Sequence, residues 1–168
     1  MYYSKIKPLD IANGPGVRVS LFVSGCRNQC PGCFNPETWN FTYGQEFTYE
    51  TISEIDRALD NPNIAGLSIL GGDPFEPENR ECVENLCAYV KTFYPNKTVW
   101  LWTGYMFEDL RDLDVMRYID VLVDGPFVAD LKDLRLQWRG SSNQRVIDVR
   151  ESLKRNCAIR WRGLESGR

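Results

Sequence analysis

The residues able to do chemistry in this 168-residue chain gather in "SGCRNQCPGCFN", residues 24–35. Three of its six cysteines, Cys26, Cys30 and Cys33, fall within eight positions there, spaced C-x3-C-x2-C. Grouped thiolates suit zinc or an iron–sulfur cluster. Structural zinc takes four ligands, and so does an ordinary cubane [4Fe–4S] cluster. A cubane held by three thiolates keeps one iron open to a small molecule, as an open zinc site holds water. Pro31 and Gly32 turn the chain between the second and third cysteines, and Gly32 permits close backbone approach. Spacing alone leaves three readings: an open cluster, a zinc site completed from elsewhere, and chance grouping. Cys82 and Cys87 stand five apart on a predicted helix, point to different sides and read as core thiols. Cys157 lies in the final segment, and no role attaches to it.

A second candidate is "GGDP", residues 71–74, at the end of an apolar run. Gly71 and Gly72 let carbonyl groups approach an ammonium closely, with Asp73 beside them. The same four residues also read as a strand-ending turn. Histidine is absent from the chain. That excludes a Ser-His-Asp triad, a histidine general base and a Cys-His zinc site. A net charge of −3 gives no reason to expect a nucleic-acid partner. No apolar signal peptide opens the chain and no membrane-length apolar run occurs, so a cytoplasmic location and no membrane are expected. Thiols stay reduced there, which favours metal or redox chemistry over disulfides.

The elements that must position these residues alternate between strand and helix patterns. "VRVSLFV" (17–23), "IAGLSIL" (64–70), "TVWLW" (98–102) and "IDVLVDG" (119–125) read as strands, with "RVIDV" (145–149) as a fifth. Helices are predicted after Thr48, over 77–94 with Pro77 inside its start, and over 106–117. This order predicts an α/β fold with a mostly parallel sheet. A closed eightfold barrel takes ~250 residues, so an open or partial (β/α) barrel is expected instead. The cysteine loop, "GGDP", "TGY" (103–105) and Asp124-Gly125 each follow a strand. Ligands on such sheets sit at the carboxyl ends of the strands, so one site is expected there. The segment 150–168 carries six Arg or Lys against two Glu and has no clear periodicity, so it reads as a loosely held tail. The five Trp and eight Tyr read mostly as core or interface residues.

"CRNQCPGC" resembles the cysteine motif of radical S-adenosylmethionine enzymes. "NGPGVRVSLFVSGC" (13–26) is similar to the opening segment of their glycyl-radical-enzyme activase group. With "CPGCFNPETW", "GGDP", "LWTGY", "VLVDG" and "WRGSSNQR" in order, residues 2–149 resemble the activating proteins of anaerobic (class III) ribonucleoside-triphosphate reductases. The resemblance implies a radical S-adenosylmethionine domain over 1–149 and a tail of unknown role over 150–168. It implies one [4Fe–4S] cluster per chain, ligated by Cys26, Cys30 and Cys33. It also implies S-adenosylmethionine against Gly32, Cys33, Phe34, Gly71, Gly72, Asp73, Thr103 and Asp124. Two positions depart from the family's pattern: Gly32 stands where an aromatic residue often precedes the last cysteine, and Pro126 stands where a lysine often follows the strand-end aspartate.

The implied activity is that of an oxidoreductase. A flavodoxin-like donor reduces the cluster, S-adenosylmethionine is cleaved to methionine and a 5′-deoxyadenosyl radical, and that radical takes a hydrogen from a glycine of the reductase's catalytic subunit. Assembly as a homodimer or as a heterotetramer with the reductase goes with that activity. The chemistry lies in cluster and cofactor, so no side chain is expected to act as a catalytic acid, base or nucleophile. The alternatives are an activase of another glycyl radical enzyme such as pyruvate formate-lyase, a small-molecule enzyme of the deazaguanine-forming type, and a non-catalytic zinc or iron–sulfur interaction module.

Overall fold

A computed structural model describes residues 1–164. The chain opens with β1 (Tyr2–Asp10), turns back through a Gly- and Pro-containing bend, and enters β2 (Val17–Val23). The cysteine loop, a 3₁₀ turn at Pro36–Trp39 and the two-residue β3 (Gln45–Glu46) lead into α1 (Tyr49–Leu59). Then follow β4 (Ile64–Gly71), α2 (Pro77–Phe93), β5 (Thr98–Trp102) and α3 (Phe107–Leu110). Next come β6 (Val121–Asp124), β7 (Arg145–Asp148) and α4 (Val149–Arg155). Thr48 caps α1, its amide donating to Thr51 Oγ1 at 3.1 Å, and Pro77 opens α2 as expected. The helix expected over 106–117 divides into α3 and a 3₁₀ turn at Asp114–Tyr118.

The strands form one sheet in the order β3-β1-β2-β4-β5-β6-β7. β2, β4, β5 and β6 are parallel neighbours, whereas β1 against β2, β3 against β1, and β7 against β6 are antiparallel. The expected mostly parallel sheet is therefore corrected to a mixed one. The sheet is not closed, and a partial barrel is not confirmed. The reason lies in the connections. Parallel pairs need a long crossover, which α1 and α2 supply; a short bend or a loop returns the chain antiparallel, as before β2 and before β7.

α1 and α2 pack on one face, where Val19, Leu21, Leu67, Ile69, Val99 and Leu101 form the main core with Ile55, Val83 and Leu86. The opposite face carries no α1 or α2 packing. A smaller core there joins Trp100 to Val121, Val123 and Val146, with Trp102, Trp138 and Trp161 against it. The Trp161 ring stands edge-on to Trp100 at 4.8 Å and to Trp138 at 5.4 Å. Its amide donates to Val146 O at 2.9 Å, and Arg160 bridges Ile147, so this segment covers the outer edge of β7. The segment read as a loose tail is thus packed as far as Trp161, and residues 165–168 lie outside the described residues.

Trp161→Ala removes a half-buried indole from this smaller core. It is expected to cost about 2 kcal/mol, below the figure for a fully buried aromatic. Chemical denaturation checks this; an unchanged midpoint would show that the segment adds nothing to stability.

Candidate functional site

β2 and β4 run side by side, with Val23 paired to Gly71. The cysteine loop and the "GGDP" turn therefore leave the sheet together. Gly72 N donates to Val23 O at 2.7 Å, and Asp73 N donates to Gly25 O at 2.8 Å. A Cβ on Gly72 would lie 2.6 Å from Gly25 O, and one on Gly71 2.6 Å from Val23 O, so backbone contact here requires glycine. Asn79, buried at the start of α2, ties both loops by donating to Ser24 O at 2.9 Å and Asp73 O at 3.0 Å.

The cysteine loop is held from outside by ions. Arg27 N donates to Glu76 Oε1 at 2.7 Å, and its guanidinium bridges Glu76 and Glu78. Glu76 is fully buried, and Arg27 also lies over the Phe41 ring at 4.4 Å. Cys26 N donates to Trp39 O at 3.2 Å, and Cys33 N closes a turn onto Cys30 O at 3.1 Å. All three thiols are free and line one end of a cleft of about 650 Å3 on the helix-free face of the sheet. Burial, reinforced by the Asp73 and Glu76 charges, pushes the Cys26 thiol up to about 11. The Asn35 amide donates to Cys33 Sγ at 3.4 Å.

Asp73 sits beneath this loop with its carboxylate buried. Thr103 Oγ1, Gly104 N, Phe75 N and Asn28 Nδ2 donate to it at 2.8, 2.9, 3.0 and 3.2 Å. It thereby joins the ends of β4 and β5 to the cysteine loop. Burial pushes its carboxyl up to about 6, against the hydrogen bonds, which favour the charged form. Phe34, 55% exposed, meets Phe127 edge-on at 5.3 Å, and both line the cleft.

Of the sequence-selected residues, Cys26, Cys30, Cys33, Phe34, Gly71, Gly72, Asp73 and Thr103 all line this cleft. Gly32 and Asp124 do not. The Cβ position of Gly32 faces Ala129 and Phe127 at 3.7 Å. Asp124 is buried, accepting from Phe107 N at 2.8 Å and from Arg145, which also pairs with Glu108; its neighbour Gly125 lines the cleft instead. Tyr105 stays at the loop's side, its amide donating to Thr103 Oγ1 at 3.1 Å.

A family model described as a 4Fe-4S single cluster domain matches residues 12–147. The chain is 49% identical to the anaerobic ribonucleoside-triphosphate reductase-activating protein of Enterobacteria phage T4 over 146 residues, 87% of this chain and 93% of the phage protein. Its namesakes in Vibrio cholerae and Escherichia coli K12 are 47% and 46% identical, over 86% and 89% of this chain and 96% and 100% of their own. The chain belongs to this family.

The donor set fits the cluster that the family's domain carries. Soft thiolates suit an iron–sulfur cluster, and three of them from one loop line the same cleft. Sequence reading missed Arg27, Glu76, Asn28 and Asn79, which hold the loop, and Gln144, which holds the facing wall. Gln144 Oε1 accepts from Gly140 N at 2.9 Å and Ser141 N at 3.2 Å, while its Nε2 donates to Gly125 O at 3.0 Å. That gives "WRGSSNQR" its role: the segment staples the loop after β6. The available signals were adjacency alone, since Arg27 follows Cys26 and Glu76 follows "GGDPF".

The Asp73 carboxyl gives a pH signature in the apoprotein. It takes up its proton near 6 when folded and near 3.8 when unfolded. Between those values the native state binds more protons, so this group's contribution to stability rises as pH falls and is complete below 3.8. Asp73→Asn is expected to remove that component, making the acid side of the stability profile steeper in its loss than in wild type. Parallel profiles from denaturation at several pH values would contradict the assignment.

Proposed function

We propose that the chain activates an anaerobic ribonucleoside-triphosphate reductase by reductive cleavage of S-adenosylmethionine at a [4Fe–4S] cluster ligated by Cys26, Cys30 and Cys33. One observation carries this reading: three cysteines from one eight-residue loop line the same cleft as the "GGDP" turn, at the carboxyl ends of β2 and β4. The relatives' name, reductase-activating protein, supports the partner. A cluster held by Cys26, Cys30 and Cys33 would supply the electron that breaks the sulfonium S–C5′ bond, giving methionine and a 5′-deoxyadenosyl radical able to take an α-hydrogen from a glycine of the reductase and leave as 5′-deoxyadenosine.

The chain's own residues bind and orient. The cleft, at about 650 Å3, has the size of a small-molecule site. The Gly71-Gly72 backbone offers carbonyl acceptors to the methionyl ammonium, and the Phe34–Phe127 pair offers an aromatic wall to the adenine. Thr103 and Asp73 act by holding the β4 and β5 loops together. Asp124 acts at one remove, through the Arg145 pair that sets the β6 end, and the Gly125 backbone is what this strand end offers to the cleft. The Asn35 N–H bond to Cys33 Sγ stabilises charge on that sulfur. In this reading a flavodoxin-like protein supplies the electron and the reaction runs in the cytoplasm.

Anaerobic reconstitution is expected to give about four irons and four sulfides per chain. With reductant, S-adenosylmethionine and the reductase, electron paramagnetic resonance is expected to show a glycyl-radical doublet. Cys30→Ala is expected to reduce S-adenosylmethionine cleavage to background. A colourless protein holding one zinc would sink the reading. Cleavage with no doublet on this reductase would overturn the partner.

A further inference from the structure

We infer that Arg27 is a positioning residue for electron transfer: its guanidinium offsets the buried Glu76 carboxylate beside the first cysteine and so sets the reduction potential of a cluster held there. The inference rests on the proposed function and concerns an ion pair of this chain.

The geometry puts the Glu76 charge at the cysteine loop. The amide that joins Cys26 to Arg27 donates to Glu76 Oε1 at 2.7 Å, so the carboxylate lies one peptide group from Cys26. Glu76 is fully buried at the N-cap of α2, just beyond the "GGDP" turn. Asp73 is buried beneath the same loop and accepts from Asn28 Nδ2 at 3.2 Å. Charges withdrawn from water are little screened by salt. Reduction adds one electron, supplied by the flavodoxin-like donor, near these two carboxylates, and their negative charge opposes it. Net charge and hydrogen bonding around the sulfurs set the potentials of iron–sulfur clusters over a wide range.

Arg27 carries the answering charge. Its guanidinium bridges Glu76 and Glu78, with Nη1 donating to Glu78 Oε2 at 2.9 Å. The planar fork of an arginine can hold two carboxylates at once, and it keeps its charge at any pH the protein meets. The group also lies over the Phe41 ring at 4.4 Å, and Phe41 in turn abuts Gly25, where a Cβ would approach the ring to 2.3 Å. The side chain is thus fixed on three sides although 54% of it is exposed. Joining the cysteine loop to α2 does not by itself need charge. Asn79 already ties the two loops with neutral hydrogen bonds to Ser24 O and Asp73 O. What the ion pair adds is a cation next to Cys26.

The test is a redox titration of the anaerobically reconstituted holoprotein, without S-adenosylmethionine or reductase, followed by electron paramagnetic resonance at mildly alkaline pH. Arg27→Gln leaves Glu76 uncompensated and is expected to lower the equilibrium constant for reduction about tenfold, ~59 mV for one electron. Glu76→Gln leaves the cation and is expected to raise it by a similar factor. The double variant is expected to return close to wild type, and Arg27→Lys to stay close to it. Opposite signs that cancel are a signature of charge; a loop merely loosened shifts both single variants the same way. If Glu76→Gln holds no iron, Glu78→Gln, at the half-exposed partner on α2, is expected to give a smaller rise. An unchanged potential in Arg27→Gln, shifts of one sign in both single variants, or a fall in Glu78→Gln overturns this inference and leaves the proposed function standing. Wild-type protein that takes up no iron and sulfide overturns both.

Discussion

The site depends on one backbone contact: two loops leaving adjacent parallel strands touch where no side chain can intervene. Asp73 N reaches Gly25 O, and Gly72 N reaches Val23 O, at ordinary hydrogen-bond lengths. The contact tolerates no Cβ at residues 71 and 72. Gly25 is fixed as well, by φ of +98° and by the Phe41 ring, which a Cβ would approach to 2.3 Å. Everything else follows from that junction. It sets Cys26 beside the "GGDP" turn, brings Asn28 onto Asp73, and lets Arg27 reach Glu76.

The same junction collects negative charge. Glu76 and Asp73 are buried close to a loop that carries three cysteines, and the cost shows in the raised Cys26 thiol. Arg27 offsets this by bridging Glu76 to Glu78, whose carboxyl it holds down at about 2. Uncompensated buried charge is strongly destabilising, whereas a paired and hydrogen-bonded one is tolerated. In the proposed holoprotein an iron–sulfur cluster would complete the balance, because metal binding displaces thiol protons.

Much of this was legible in the sequence. β2, β4 and β5 are buried runs of β-branched and aromatic residues, and α1 and α2 announce themselves through Thr48 and Pro77. β1 was not legible because its Lys5 and Lys7 stems lie along Phe22 in a half-solvated strand that also contains Pro8, so the apolar signal is diluted. The packed end of the chain rests on one indole, Trp161, which leaves no periodicity to read. Asp124 ends β6, as the sequence suggests, but its side chain lies away from the cleft. Alternation puts it with Leu122, which faces the main core, while Val121 and Val123 face the tryptophan side. Pairings such as Arg27 with Glu76, 49 positions apart, exist only after the sheet has formed.

The division of the sheet into two faces explains why so small a chain holds both a core and a site. α1 and α2 bury the face that pays the entropy of folding. The other face is stabilised at one side by clustered indoles and left open at the other, where the thiols, the glycine turn and the aromatic pair meet. In the proposed reaction no proton moves through a side chain, so the absence of histidine removes nothing the site needs. A carbon radical abstracts whichever hydrogen is nearest, and selectivity then comes from geometry. That places the demand on backbone and loops. The groups that matter most here are accordingly glycines that allow close contact, buried amides and carboxylates that lock loop to loop, and a stapled wall opposite, rather than a set of acids and bases.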